Sequence, residues 1–270
     1  MNRRLLALPL LLSLVAAAPH RPAAPATDGG GNRMRAFAAV TPPRAGEPPD
    51  PFVRHCTADR RWCARMRLEE GASAWVIELT PRGGAQRDLE LTGVSDEQAA
   101  FAIWPHIVIE ADGAVLIGAE RTRSTSYSGG GASATQLVLV RAGPGGGALR
   151  QVLDVPWSGG KDIRACFSAR DTRNRRGACS DQYEFTATLT IDPATRAGRP
   201  HFLYATTART YPGRRTTESD STTAPPLRRA DLRWATDPVC SYRRRIAPDA
   251  RSGLYAPDRP LPACGDFLDF

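Results

Sequence analysis

The chain has 270 residues, 36 basic and 28 acidic side chains and a formal charge of +8; it is too apolar for a wholly disordered protein. Lys161 is the only lysine, so the basicity is arginine, and its excess falls in residues 161–270. No aromatics are interleaved with those arginines to stack bases, which argues against a nucleic-acid partner. A GC-rich bacterial genome, rich in Arg and Ala codons, accounts for such a composition without a selected polyanion surface.

The opening MNRRLLALPLLLSLVAAAPH combines two arginines, an apolar run and small residues, the pattern of a secretory signal peptide over 1–17 with cleavage near Ala17. No later stretch approaches the roughly 20 apolar residues of a membrane helix. A soluble periplasmic or secreted bacterial protein is the expectation. Residues 18–51, dense in Pro, Ala and Gly, read as a linker without regular structure. Residues 52–270 read as one β domain.

Within that domain, Trp62, Ala64, Met66 and Leu68 alternate with polar residues, the period of a half-buried strand. Ala74 to Thr80 and Arg87 to Thr92 are the next strands, separated by the turn Pro81 to Gly84. Ser95 to Phe101 opens with a capping-box pattern and is the one short helix expected. Ile107 to Glu110 and Ala114 to Ala119 flank Ala111-Asp112-Gly113, a hairpin signal because such turns need positive φ. Thr122 to Ala134 is almost all Ser, Thr, Gly and Arg, and is expected to be a surface loop before a strand at Thr135 to Arg141. Further strands are expected at Leu149 to Val155, Ile163 to Ser168, Tyr183 to Ile191 and His201 to Thr207, with another at Asp231 to Trp234. The tail from about 237 reads as an irregular disulfide-bonded flap. The fold class is therefore all-β, about ten antiparallel strands in up-and-down order, as a sandwich or barrel with a small propeller as rival.

Six cysteines in an exported chain imply three disulfides, and the spacings favour Cys56 with Cys63, Cys166 with Cys179 and Cys240 with Cys264. No CxxC pair or HxxxH suggests a metal, and no cofactor motif is present. Cysteines seven apart on one helix would lie about 10 Å from each other, so the first bridge also excludes a helix there.

The chemistry-bearing stretches are few. Arg170, Arg173, Arg175 and Arg176 share the loop closed by Cys166 and Cys179, and Arg243, Arg244 and Arg245 follow Cys240. Arginines on rigid loops suit bidentate recognition of phosphate, so an anionic envelope component is the candidate partner. Ser124, Ser126 and Tyr127 lie in the expected 124–135 loop, whose hydroxyls and N–H groups suit an anion nest. His106 and Glu110 sit two strand positions apart on one face as an acid–base candidate, while His55 and His201 read as structural. Ser158-Gly159-Gly160-Lys161 has the Ser-x-x-Lys spacing of penicillin-recognising enzymes but lacks their other motifs, and reads as a glycine turn. Phe270 is the C-terminal aromatic of an outer-membrane barrel without the alternation such a strand needs. No catalytic set is assembled. The expected function is a non-catalytic binding or envelope-associated protein; the alternative is a secreted hydrolase using a Ser or Thr of the 124–135 loop with His106.

Overall fold

The computed structural model describes residues 26–41, 50–69, 74–91 and 99–269. The chain enters through β1 (Arg33–Ala36) and β2 (Ala38–Ala39), then forms β3 (His55–Cys56), β4 (Trp62–Leu68), β5 (Trp75–Pro81) and β6 (Arg87–Glu90). Next come the long strands β7 (Ala100–Ile109), β8 (Val115–Tyr127), β9 (Gly130–Ala142) and β10 (Leu149–Arg164). Helix α1 (Ala169–Asn174) precedes β11 (Ser180–Ile191) and β12 (Phe202–Tyr211), and the chain finishes with β13 (Ala235–Thr236), β14 (Arg243–Pro248), β15 (Tyr255–Pro257) and helix α2 (Gly265–Leu268).

The strands make two antiparallel sheets. One runs β2-β3-β4-β5-β6; the other runs β1-β7-β8-β9-β10-β11-β12-β14-β15, with β13 beside β12. The all-β, up-and-down expectation holds, while the long sheet does not close into a barrel. Nor are there propeller blades, because most of the domain is a single continuous meander.

The two faces of β7–β9 bury different cores. On one, Phe101, Ile103, Ile107, Ile117 and Val138 meet Trp62, Ala64, Met66, Ile77 and Leu79 from the smaller sheet. Ile77 and Leu79 are completely buried, worth roughly 1.5–3 kcal/mol each by transfer. On the other, Val108, Leu116 and Leu139 meet Leu189, Ile191, Phe202, Tyr204 and Ile246 of the same long sheet. That sheet therefore coils over its own face, bringing edge strand β1 against β11. A third cluster around Tyr183, Phe185 and Phe267 seats α2 and the Cys240–Cys264 bridge.

All three disulfides pair as the spacing implies. Cys56 and Cys63 face each other across β3 and β4, with Cα atoms 4.1 Å apart. The Asp-Gly turn is also as expected: Gly113 has φ +87, and Asp112 Oδ1 accepts the Ala114 N–H at 2.9 Å.

Several expectations are corrected. Part of the presumed linker is structured, since Arg33 to Ala36 pair with β7; a short edge strand tolerates nearby Pro and Gly because only one of its edges is bonded. The presumed loop over Thr122 to Ala134 is the distal half of the β8–β9 hairpin, in register from Thr122–Thr135 to Tyr127–Gly130. Polar residues suffice there because the backbone bonds continue into β10 and Thr122 and Thr135 share a hydroxyl bond of 2.8 Å. Ser158 to Lys161 is not a turn but lies inside β10. A Cβ on Gly159 would stand 2.5 Å from the Phe267 carbonyl oxygen, so glycine serves close packing against α2. The tail is not an irregular flap: β14 and β15 extend the long sheet. Within the expected strand at Asp231 to Trp234, Asp231 ends a short 3₁₀ turn, and the strand that follows is Ala235–Thr236. Most of the helix expected from Ser95 lies outside the described residues, and its last residue, Phe101, is in β7; the described helices, α1 and α2, were not anticipated.

Candidate functional site

The coil of the long sheet leaves an apolar cleft of about 810 Å³ where β1 and β7 approach β11. Met34, Trp104, His106, Trp157, Ala187 and Leu189 contribute its walls, with Thr188 and Thr190 adding hydroxyls. Trp104 is almost fully buried. It lies flat on β8 because Gly118 has no side chain: a Cβ there would meet the Trp104 Cβ at 2.7 Å and Cε3 at 3.0 Å. Trp157 sits at a β-bulge, between the Pro156 and Ser158 pairings of β10, which turns its ring toward the inside of the coil. The two indoles meet edge to face, centroids 6.1 Å apart at 90°, a favoured aromatic geometry.

His106 packs on Trp104 at 4.8 Å, and burial lowers its pKa, which favours the neutral imidazole. Arg35 and Thr57 also line the cleft, whereas Glu120 of β8 does not. Glu120 pairs with Leu137, which pairs with Val155, so its side chain starts from the same inner face as those buried residues. Burial raises its pKa, and the neighbouring Trp157 indole acts against that shift. Arg121, next in sequence, points to the opposite face, where Asp154 Oδ2 accepts from it at 3.1 Å.

Apart from His106, the residues singled out from sequence fall elsewhere. Ser124, Ser126 and Tyr127 are exposed at the far end of the β8–β9 hairpin. Ile107, the neighbour of His106, pairs with Ile117, leaving Ser124 seven residues further along, about 23 Å at strand rise. His106 and Glu110 are not partners either: Glu110 is buried and its two oxygens accept from Arg141 at 2.9 and 2.6 Å. Ser158 and Lys161, an odd number apart in one strand, point to opposite faces, and Lys161 Nζ donates to the Gly265 carbonyl at 2.9 Å.

The arginines divide. Arg170 and Arg173 are exposed on α1. Arg175, expected in a solvated anion site, is buried and bonded to Asp181 and to the Ala178 carbonyl. Arg176 donates to the Leu227 carbonyl at 2.8 Å. Arg244 stacks on Tyr242 at 4.9 Å, Arg245 pairs with Asp192 at 2.8 Å, and Arg243 is exposed. The register also separates the two groups. Arg243 stands opposite Ala205, and Ala205 opposite Thr188, whereas the α1 loop hangs from Ser180. Eight residues of β11, about 26 Å, lie between, well beyond the roughly 8 Å screening length at physiological salt.

Sequence reasoning therefore missed Trp157, Met34 and Arg35. Trp104 and His106 stood in a stretch already marked as a strand, but no periodicity tells which strand coils back to face it. No protein-family model matches this chain, and no curated protein or solved structure shows significant similarity to it.

Proposed function

We propose that the chain is an exported bacterial protein, delivered to the periplasm or beyond by its leader, that binds a small apolar ligand without catalysing its conversion. The observation that carries this reading is the Trp104–Trp157 cleft. Its volume lies within the range of about 300–1,000 Å³ usual for small-molecule sites, and its walls are apolar with few polar groups, as such sites are. Paired cysteines agree with an oxidising compartment, and no described helix is long and apolar enough to cross a membrane.

The hydrolase alternative draws no support, since the hairpin hydroxyls and His106 lie too far apart to share a proton. An anionic envelope component as partner loses its main argument with the separation of the arginine groups.

The test is titration with N-phenyl-1-naphthylamine, an uncharged apolar fluorophore, followed by its emission. Saturable binding, weakened at least about tenfold by the cleft-filling substitution Ala187→Trp, is expected. Binding unaffected by that substitution, in a variant with native near-ultraviolet dichroism, would overturn the assignment. Fluorophosphonate labelling lost on Ser124→Ala or Ser126→Ala would restore the hydrolase. Export is checked by sequencing the N-terminus of mature protein, expected to begin near Ala18.

A further inference from the structure

The cleft changes polarity from floor to rim. Met34, Trp104 and Leu189 are buried in it, whereas the half-buried Arg35 and the exposed Ala58 also line it. Alternation along β1 explains the split. Met34 turns into the core it shares with Trp104 and Leu189, so Arg35 leaves the strand on the other side and meets the cleft at the open edge of β1, the end strand of the long sheet. An apolar floor under a cationic rim suits an amphiphile, with its chain inward and its head outward, since the few polar groups of such a site fix the orientation of the ligand.

The charges give the sign of the head. Arg35 is the one permanently charged residue lining the cleft, and no Asp or Glu lines it. Burial favours the neutral form of His106. Asp59, on which Arg35 acts, is exposed and lies outside the lining. Its Oδ1 already accepts from the Thr57 hydroxyl at 2.6 Å and from the Arg61 N–H at 3.0 Å. Glu120 is outside the lining too, and burial favours its neutral form.

The backbone of β1 adds a second donor. The Phe37 N–H donates to the Pro105 carbonyl of β7 at 2.9 Å, while the Met34 N–H turns the other way, to the Ala26 carbonyl at 2.8 Å. By the same alternation Ala36, which lines the cleft beside Arg35, directs its N–H to the unpaired edge. A guanidinium and an adjacent N–H suit an oxyanion. One positive charge balances a carboxylate, whereas a phosphate monoester carries about 1.5–2 negative charges at pH 7.

We propose that the ligand of this cleft is an amphiphile with a carboxylate head, its chain against Met34, Trp104 and Trp157 and its head held at the rim by Arg35 and the Ala36 N–H. This rests on the cleft being the ligand site. The experiment titrates decanoate, decanol and decyl phosphate, equal in chain length and used below micelle formation, and follows intrinsic tryptophan fluorescence. Decanoate is expected to bind at least about tenfold more tightly than decanol, and more tightly than decyl phosphate. Arg35→Gln should bring decanoate to within about twofold of decanol. Arg33→Gln, which alters an exposed arginine of the same strand outside the cleft, should keep the parental preference. Should Arg35→Gln lose its native near-ultraviolet dichroism, Arg35→Lys carries the test: its preference must fall below the parental one, because an ammonium lacks the bidentate fork. Equal affinity for decanoate and decanol, or a preference unchanged in the Arg35 variants, overturns the carboxylate proposal and leaves the apolar site standing. Tightest binding of decyl phosphate overturns the choice of head group. No binding of any probe overturns both readings.

Discussion

Arg175 and Asp181 form a buried ion pair six residues apart, on either side of the Cys166–Cys179 bridge's second cysteine. Both side chains are about 95% withdrawn from solvent, and Asp181 also accepts from Ser221, drawing the 213–227 segment onto the base of β11. Removing Arg175 leaves the buried Asp181 with only Arg215, at 3.7 Å, and Ser221 as partners among the described residues. Arg175→Ala is expected to cost about 3–5 kcal/mol, whereas Arg173→Ala, exposed two residues away, should change stability by less than about 0.5 kcal/mol. Urea unfolding of the two variants gives the comparison; equal effects would contradict the burial that separates them.

Adjacent glycines in β10 give a second contrast. A Cβ on Gly159 would press on the Phe267 carbonyl oxygen at 2.5 Å and Leu268 Cδ2 at 3.0 Å, while one on Gly160 would meet nothing closer than 3.7 Å. Neither has positive φ, so backbone strain does not enter. Gly159→Ala is expected to destabilise by about 1–3 kcal/mol as α2 is pushed off the sheet, with Gly160→Ala close to neutral. Thermal unfolding of both variants decides it.

All six cysteines should be oxidised in exported material and recovered by non-reduced peptide mapping as Cys56–Cys63, Cys166–Cys179 and Cys240–Cys264. Replacing Cys240 and Cys264 together by serine releases the widest loop, with cysteines 24 residues apart in sequence. A loss of about 2–4 kcal/mol is expected. A Cys56–Cys179 peptide in that map would contradict the sheet register that pairs Cys56 with Cys63.

Glu120 should leave a signature in the pH dependence of stability. Its carboxyl is raised above the ordinary value of 4.5 by burial, against the influence of the neighbouring Trp157 indole. The folded state then takes up the proton more readily than the unfolded chain, so the stability it contributes is fully present below 4.5 and lost as pH rises through the folded-state pKa. Glu120→Gln cannot ionise and escapes that loss. Its melting temperature should exceed that of the parent at neutral pH, and the gap should close on acidification. A gap that widens on acidification would mean that the carboxylate is stabilised in the fold by a cation.

Much of the architecture follows from local chemistry and is legible residue by residue. The period of two in Trp62 to Leu68 and Tyr183 to Ile191, the Asp-Gly turn at Asp112-Gly113, and cysteine spacings that leave short loops all depend on neighbours in sequence, which determine strand faces, turn geometry and plausible bridges. Three features depended on distant partners. The Thr122 to Ala134 segment looked like a loop because it lacks apolar residues, yet β10 supplies the backbone bonds that make it a strand. Arg175 looked like its neighbours Arg173 and Arg176 until the fold placed Asp181 beside it. The Trp104–Trp157 cleft exists because the long sheet coils over its own face, bringing β1 against β11 from opposite ends of the domain's sequence. Coiling of that kind is set by accumulated twist, bulges and packing across the sheet, quantities that no single strand encodes.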